Sequence, residues 1–289
     1  MILCDVGGSR TRCVLVNESC EVLKVGFGGP GNHLEVGVER MIESIEEATK
    51  SFGERAEAFL ALAGLGLKVL ERGDLVERIS KKLGVKSVTL AGDTLAAHLG
   101  AFEGRDGILV LAGTGSAVVY RKKGQWRKLG GWGHLLGDEG SGYAIAVSAI
   151  RMLLRIWEGL EKENVLLDAL PFSSPEEVFG FFYRDFSKSK VASLSKAVLE
   201  AAERDDKVRK MVTDEISKLL EHLKVLPSGE ISYSGGMFKS HLYKEIFTTL
   251  LKEMRREVIE PSLPPLGGLA ILAGCEISDE TRDHFWNID

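Results

Sequence analysis

Residues 1–16, MILCDVGGSRTRCVLV, decide the fold, because they place an acid and two glycines between two short apolar runs. Both runs are rich in β-branched and aliphatic residues, which predicts antiparallel strands over 2–6 and 11–17, with a third over 21–27. The loop therefore lies at a hairpin. Glycine has no Cβ and tolerates positive φ, so such a loop can bring backbone N–H groups close to phosphate oxygens.

Two further glycine-rich loops follow apolar runs later in the chain, GTGS at 113–116 and SGGMF at 234–238. One such loop is weak evidence, and the first alone is equally consistent with a hairpin turn that carries a solvated acid. Three loops in this order, at spacings suited to a two-lobed fold, favour a nucleotide-binding site.

Helices and strands are predicted to alternate between the first two loops. Helical spacing of apolar residues begins at Val38, and a buried strand, a helix and another strand follow at 59–63, 70–83 and 85–91. This order, after a meander of three strands, predicts an α/β fold with a mixed sheet and helices on both faces.

A similar order recurs after the polar, glycine-containing stretch 103–107, which is the predicted domain boundary. The first domain would cover 1–103 and the second 104–289, with a final helix over about 266–276 packing back on the first. The elements predicted in the second domain are strands at 108–112, 117–120 and 231–233, helices between 141 and 226, and a small-residue helix at 266–273.

Composition narrows the classes of function. The formal net charge is -5 and the charged residues are interspersed, so no basic stripe is present for binding nucleic acid. No apolar run approaches the roughly 20 residues that span a bilayer, and the start has no signal-peptide pattern, so we expect a soluble cytoplasmic protein without a membrane partner.

Cysteine and histidine positions argue against a metal held by the protein alone. The four cysteines have no CxxC pairing, so we expect reduced structural thiols, and the six histidines have no HxxxH or HExxH spacing. A single Gln beside abundant Glu, Lys and Arg is the balance typical of thermophile proteins.

The three loops, Asp93 between the first two, and GGWGHLLGDEGSGY at 130–143 together resemble the sugar kinase/Hsp70/actin superfamily. Within it the chain is most similar to N-acetylglucosamine kinases, to the BadF/BadG/BcrA/BcrD-type ATPase family and to broad-specificity archaeal hexokinases. The resemblance implies two actin-like (ribonuclease H-like) lobes, each with a mixed five-stranded sheet flanked by helices, and an active site in the cleft between them.

The resemblance also assigns roles to residues, with ATP and Mg²⁺ as the implied nucleotide and metal. Asp5 would hold Mg²⁺ directly or through water. The implied nucleotide-binding residues are Gly7, Gly8, Ser9, Arg10 and Thr11 in the first loop, Gly113, Thr114, Gly115 and Ser116 in the second, Gly235 and Gly236 in the adenosine loop, and Ala192 beside the adenine.

Asp93 matches the carboxylate that accepts the proton of the sugar hydroxyl in these kinases, so it is the candidate general base. It could instead cap the helix that we expect to start at Thr94, and the two roles are compatible, because a helix N-terminus favours an ionised carboxylate. The other implied sugar-binding residues are Asn32, Gly131, Trp132, Gly133 and Asp138.

The leading functional interpretation is an ATP-dependent kinase that phosphorylates the 6-hydroxyl of a hexose or amino sugar, with N-acetylglucosamine or glucosamine expected first. The alternatives are an ATPase that activates a partner enzyme, as in the BadF/BadG-type activators with their iron–sulfur cluster, and a non-catalytic sugar or nucleotide sensor. The family is often dimeric, so a homodimer is a further expectation.

Overall fold

The hairpin predicted from the first residues begins a six-stranded sheet in a computed structural model, which describes residues 1–53, 57–184 and 186–288. The strands in chain order are β1 (Ile2–Val6), β2 (Thr11–Val16), β3 (Val22–Gly28), β4 (Glu57–Leu62), β5 (Val69–Leu70), β6 (Ser87–Gly92), β7 (Gly107–Ala112), β8 (Ser116–Lys122), β9 (Gln125–Leu129) and β10 (Ile231–Ser234).

Helices flank both sheets. In chain order they are α1 (His33–Thr49), α2 (Asp74–Leu83), α3 (Asp93–Phe102), α4 (Gly142–Trp157), α5 (Leu166–Ala169), α6 (Pro175–Tyr183), α7 (Lys188–Ser193), α8 (Ser195–Ala202), α9 (Asp206–Leu220), α10 (His241–Glu253), α11 (Pro265–Leu272) and α12 (Asp279–Ile288). Short 3₁₀ helices cover Glu221–Val225 and Gly236–Lys239.

The chain divides into two compact units. The first unit joins Met1–Asp106 to the residues from Glu260 onward, and the second is Gly107–Ile259. The expected boundary after residue 103 lies close to this division. The residues from Glu260 onward, however, belong with the first unit, so the expected second domain of 104–289 is longer than the second unit.

Each unit is built on a mixed sheet, as the α/β interpretation expects. The first sheet has the order β3-β2-β1-β4-β6-β5, in which β1, β4 and β6 are parallel neighbours, and the second has the order β10-β7-β8-β9. Five strands were expected in each sheet, whereas the first sheet has six and the second has four. The two-residue β5 adds an edge to the first sheet, whereas in the second a single parallel bridge joins Ile231 to Val258 beside β10.

Several boundaries differ from the sequence prediction for local reasons. Helix α1 begins at His33 rather than Val38, because the Asn32 side chain accepts a hydrogen bond from the Leu34 N–H and caps it. Helix α2 begins at Asp74 rather than residue 70, after Gly73 at a φ of 117°. Strand β9, which was not predicted, is an edge strand with mostly exposed polar residues, so its apolar signal is weak.

The core of the first unit requires a helix to lie directly on its sheet. A Cβ on Gly26 would lie 1.8 Å from the carbonyl oxygen of Ala48, and one on Gly28 would lie 1.9 Å from that of Ser44. Only glycine therefore lets α1 approach β3 so closely. The largest fully buried aliphatic side chains of this core include Ile2, Met41, Ile45, Leu60, Ile79 and Leu90, each contributing about 1.5–3 kcal/mol by its burial.

The C-terminal helices are held to the first unit by the same kind of close contact and by an ion pair. A Cβ on Gly268 of α11 would lie 1.8 Å from the carbonyl oxygen of Ala96 in α3. Arg282 of α12 donates to Glu103 at 2.9 Å. A hydrogen bond from Ser262 and the Arg282 guanidinium hold the pKa of the Glu103 carboxyl below its ordinary value.

The expectation of reduced thiols is wrong, because all four cysteines form disulfides. Cys4 and Cys13 face each other in the β1–β2 register, with Cα atoms 4.1 Å apart. Cys20 bonds to Cys275 across 255 positions of sequence, which ties the end of the chain to the N-terminal meander. A search for CxxC spacing could not reveal either bond, because the bonded cysteines are 9 and 255 positions apart in sequence. No helix in the described part of the chain is both long and apolar enough to cross a membrane.

We expect Cys20→Ser to lower the free energy of unfolding by about 2–4 kcal/mol, because the Cys20–Cys275 bond restricts the unfolded chain over a very long loop. Denaturant titrations of Cys20→Ser, Cys275→Ser and the double variant measure this loss, and all three should lose the same amount since each lacks the same bond. Four titratable thiols in the unreduced, denatured wild-type protein would contradict the disulfides.

Candidate functional site

The carboxyl ends of the three parallel strands in the first unit place two acids at one edge of its sheet. Asp5, Ala61 and Ala91 stand in register across β1, β4 and β6, and Asp93 follows β6 directly. Neighbouring strands are about 4.8 Å apart, so Asp5 and Asp93 lie roughly two strand spacings from each other along this edge. Ligands of open α/β sheets bind at such carboxyl edges.

Asp93 is the first residue of α3, one position before the expected start. Its Oδ1 accepts hydrogen bonds from the backbone N–H of Thr94 at 2.7 Å and from the Thr94 hydroxyl at 3.2 Å. Gly92 occupies the cap position, and a Cβ there would lie 1.7 Å from the carbonyl oxygen of Gly66. Glycine at 92 thus lets the strand end pack tightly and fixes where Asp93 begins the helix.

The first glycine loop, residues 7–11, is bonded to the segment 28–32 that carries the predicted sugar-binding Asn32. Gly7 donates to the Arg10 carbonyl at 3.1 Å, which closes the turn, and Gly31 donates to the Gly7 carbonyl at 2.9 Å. Gly8 is half-buried, whereas Ser9 and Arg10 are exposed. Thr11 begins β2 and is buried, and its hydroxyl has no hydrogen-bond partner among the described residues.

Asn32 follows this loop and is half-buried at the start of α1. Its Oδ1 accepts from the Leu34 N–H and its Nδ2 donates to Glu35 at 2.9 Å. An amide has two donor hydrogens and two acceptor lone pairs, so capping leaves one of each for another partner.

Arg12 contacts Asp5 and was not among the residues predicted for the site. It stands opposite Asp5 in the β1–β2 register, and its Nη2 lies 3.3 Å from Asp5 Oδ2 with both side chains about 15% exposed. The signal was present in the hairpin, because cross-strand neighbours of opposite charge pair. Arg12 therefore partly neutralises the carboxylate that we assigned to Mg²⁺.

The residues of the first unit fit a magnesium–nucleotide complex better than a metal held by protein alone. Among the described residues, no three His, Cys, Asp or Glu side chains converge to hold a metal ion. Mg²⁺ is commonly bound through one or two carboxylates, substrate phosphates and water. Asp5, at the sheet edge beside the glycine loop, offers such a single carboxylate.

In the second unit, the second phosphate loop contacts the segment that precedes α4. Gly113 donates to the Gly115 carbonyl at 2.8 Å, forming a tight turn between β7 and β8, and the Gly142 N–H donates to the Gly113 carbonyl at 2.8 Å. The Ser116 hydroxyl donates to the Glu139 carbonyl at 2.6 Å, whereas Thr114 is half-buried. These bonds fix the loop against the start of α4.

The predicted adenosine loop, residues 234–238, packs beside the second phosphate loop. Gly235 has a φ of 113°, and a Cβ there would lie 2.3 Å from the Ala112 carbonyl oxygen, so glycine is required on both counts. Gly235 and Gly236 are exposed, and a Cβ on Gly113 would lie 3.9 Å from the Gly236 nitrogen.

Ala192 of α7 lies beside the start of α4. It is buried, and a Cβ on Gly142 would approach its carbonyl oxygen to 3.2 Å and the Met237 Sδ to 3.2 Å. Just before α4, the Tyr243 hydroxyl donates to the Gly140 carbonyl at 2.8 Å. Complete burial raises the pKa of the Tyr243 phenol far above its ordinary value, so this donor stays protonated. These contacts bring Gly113, Gly236 and Ala192 together around Gly142 at the start of α4.

The residues predicted for the sugar in this unit form one folded loop, with Asp138 at its buried end. Gly131 and Gly133 have positive φ, and Gly137 donates back to the Gly133 carbonyl at 2.9 Å. Trp132 is 73% exposed, whereas Asp138 is buried at a φ of 63°. The loop thus carries an exposed Trp132 and a buried Asp138.

Asp138 contacts the second phosphate loop and a lysine that the sequence analysis did not select. A Cβ on Gly115 would lie 2.8 Å from Asp138 Oδ2, and Lys188 Nζ lies 3.0 Å from the same oxygen. The segment around Lys188 carried the predicted Ala192, but the pairing of the lysine arises only in the fold.

Comparison with known proteins identifies relatives over most of the chain. Residues 4–273 match the BadF/BadG/BcrA/BcrD ATPase family. The N-acetylmuramic acid/N-acetylglucosamine kinase of Clostridium acetobutylicum is 32% identical over 75% of both chains, and the N-acetyl-D-glucosamine kinase of Dictyostelium discoideum is 24% identical over 93% of this chain and 96% of its own.

Solved structures share the fold. A Chromobacterium violaceum protein, provisionally assigned as an N-acetylglucosamine kinase, aligns at a TM-score of 0.72 and 22% identity over 94% of this chain and 98% of its own. This likeness confirms the α/β architecture with two sheets. At this identity it carries no further information about substrate.

We expect Gly92→Ala to destabilise the protein by about 1–3 kcal/mol, because the new methyl group meets the Gly66 carbonyl and the backbone must shift. Thermal unfolding measures the loss. Gly180→Ala in α6 is the matched control, since its Cβ meets no atom within 4 Å, and it should leave the melting temperature unchanged or raise it. Equal melting temperatures for the two variants would contradict the close contact at Gly92.

Proposed function

Since the chain belongs to the BadF/BadG/BcrA/BcrD ATPase family, we propose that it is an ATP-dependent kinase that phosphorylates the 6-hydroxyl of N-acetylglucosamine or glucosamine. The observation that carries the proposal is the carboxyl edge of the first sheet, where Asp5, Asp93 and two bonded loops lie together. The names of the Clostridium and Dictyostelium kinases support an amino sugar as acceptor.

Asp93 is the general base of this proposal. Two hydrogen bonds from Thr94 fix its Oδ1, and its place at the N-terminus of α3 favours the ionised form that can accept a proton. The carboxylate takes the proton of the sugar hydroxyl as that oxygen bonds to the γ-phosphorus, and the bond from the γ-phosphorus to the bridging oxygen breaks to release ADP. Proton transfer of this kind contributes about 10²–10⁴ in rate.

The loops bind the phosphates through backbone N–H groups, which the glycines make accessible. Residues 7–10 supply one set and residues 113–116 the other, with Ser9 and Thr114 adding hydroxyl donors. Asp5 would hold Mg²⁺, which would supply positive charge against the phosphates. Arg12 holds the Asp5 carboxylate in place from the neighbouring strand.

We assign Asn32 of the first unit to the acceptor. Asn32 has amide donor and acceptor capacity beyond its capping bonds, which suits a ring hydroxyl. We also assign Gly131, Trp132, Gly133 and Asp138 to the sugar, and Gly235, Gly236 and Ala192 to the adenosine.

The activating-ATPase alternative does not fit the cysteines. An iron–sulfur cluster needs thiolate ligands, and all four cysteines of the sequence are in disulfides. The sensor alternative is less favoured, since Asp5, Asp93 and all the glycine loops are present.

We place the protein in the cytoplasm of a thermophile and propose a homodimer. The two disulfides support a cytoplasmic protein of a thermophile, because intracellular proteins of hyperthermophiles are often disulfide-rich. The Gln-poor, charge-rich composition points the same way. Sedimentation tests the dimer, and a melting temperature in the mesophile range would contradict the thermophile assignment.

The experiment that tests the activity is ADP release from Mg-ATP, measured without sugar and with N-acetylglucosamine, glucosamine, glucose and mannose in turn, at moderate and high temperature. The proposal requires release that depends on sugar and is fastest with an amino sugar. Release that is independent of sugar would favour the activating ATPase, and no release would favour the sensor.

We expect Asp93→Asn to lower kcat by about 10²–10⁴, because the amide keeps the hydrogen bonds to Thr94 but cannot accept the proton. Asp74→Asn is the matched control, since Asp74 is also the first residue of a helix but is exposed, and it should keep wild-type kcat. The assay is steady-state ADP release with saturating sugar. An Asp93→Asn enzyme within a few-fold of wild type would remove Asp93 from this role.

A further inference from the structure

Lys188 is an unusually enclosed lysine. Its side chain is 15% exposed and its partner, Asp138, is 4% exposed. The five other lysines with a described ion pair, whose side chains are 45–74% exposed, are Lys82, Lys207, Lys210, Lys218 and Lys224. Removing an ammonium and a carboxylate from water costs free energy. A protein with hydrophobic residues of similar volume in place of such a pair is often at least as stable. The pair therefore calls for an explanation beyond stability.

The position of the Lys188 ammonium, beside Gly115, explains why the ion pair is buried. A Cβ on Gly115 would lie 3.2 Å from Lys188 Nζ and 2.8 Å from Asp138 Oδ2. Gly115 has no positive φ, so its lack of a side chain matters here for space rather than for backbone conformation. The Lys188 ammonium thus lies directly against the loop whose N–H groups we assigned to phosphate.

The ion pair leaves donor capacity on Lys188. The 3.0 Å contact between Nζ and Asp138 Oδ2 occupies at most one donor hydrogen of the ammonium. An ammonium carries three donor hydrogens, and phosphate oxygens are strong charged acceptors. Asp138 can therefore hold the ammonium by charge while its hydrogens bond a phosphate.

We propose that Lys188 binds the β- or γ-phosphate of the nucleotide at the Gly113–Ser116 loop, with Asp138 as the positioning residue that holds the ammonium there. The inference rests on the proposed nucleotide-binding function of this loop. It adds a cationic ligand to a loop that otherwise offers N–H groups and hydroxyls. Because Asp138 also ends the predicted sugar segment, the pair links the residues for the two substrates.

A purely structural ion pair makes different predictions. It would tie α7 to the loop, so its loss would lower the melting temperature and weaken every nucleotide and nucleoside equally. A phosphate contact acts only on ligands that carry the phosphate. Comparing ligands that differ only in their phosphates therefore separates the two roles.

The test measures binding of AMPPNP with Mg²⁺, of ADP and of adenosine to Lys188→Met by calorimetry. We expect AMPPNP, and ADP if the β-phosphate is the partner, to bind about 10- to 100-fold more weakly, the usual effect of losing one charged hydrogen bond. Adenosine should bind as it does to wild type. Lys188→Arg should restore most of the affinity, because it keeps the charge.

Lys190→Met is the matched control, since Lys190 lies on the same helix but is exposed, and it should leave all three affinities unchanged. If Lys188→Met fails to fold because Asp138 is left buried and unpaired, Lys188→Met combined with Asp138→Asn removes that charge, and it is compared with Asp138→Asn alone. Equal losses for AMPPNP and adenosine, or no loss for either, would overturn the inference.

The same ligands distinguish this inference from the proposed activity. A wild-type protein that binds AMPPNP but phosphorylates no sugar would overturn the kinase proposal and leave the role of Lys188 standing. If the wild-type protein phosphorylates a sugar and Lys188→Met binds AMPPNP normally, the kinase proposal stands and the role of Lys188 is overturned. A wild-type protein that does not bind AMPPNP would overturn both.

Discussion

Direct contact between backbones, made possible by glycine, is the constraint on which the second unit depends. The Gly142 N–H bonds the Gly113 carbonyl at 2.8 Å, and the position where Gly235 would carry a Cβ lies 2.3 Å from the Ala112 carbonyl. Any side chain at Gly235 would push its loop away from β7. Three motifs that are far apart in sequence come together because glycines stand where they meet.

The acidic edge of the first unit depends on the same constraint. Gly31 bonds Gly7, and Gly92 packs on the Gly66 backbone, so the sugar loop and the start of α3 are both fixed relative to the sheet. Parallel register then brings Asp5 and Asp93 to one edge. Position rather than unusual local chemistry makes these two carboxylates candidates for metal binding and proton transfer in an amino sugar kinase.

The sequence was sufficient for features that depend on local pattern. Apolar runs located the N-terminal meander, the strand before Asp93 and the strands around the second loop, and glycine spacing located the three loops. Partners that meet only through the fold were missed. The Cys20–Cys275 bond and the Asp138–Lys188 pair join residues distant in sequence, and β9 is an exposed edge strand without an apolar run.

Phosphorus NMR of the reaction mixture shows whether this chain transfers phosphate from ATP to the 6-hydroxyl of an amino sugar. With Mg-ATP and N-acetylglucosamine or glucosamine, we expect ADP and a sugar 6-phosphate in equal amounts, with no inorganic phosphate. ADP accompanied by inorganic phosphate alone would contradict it, because water rather than the sugar would then be the acceptor.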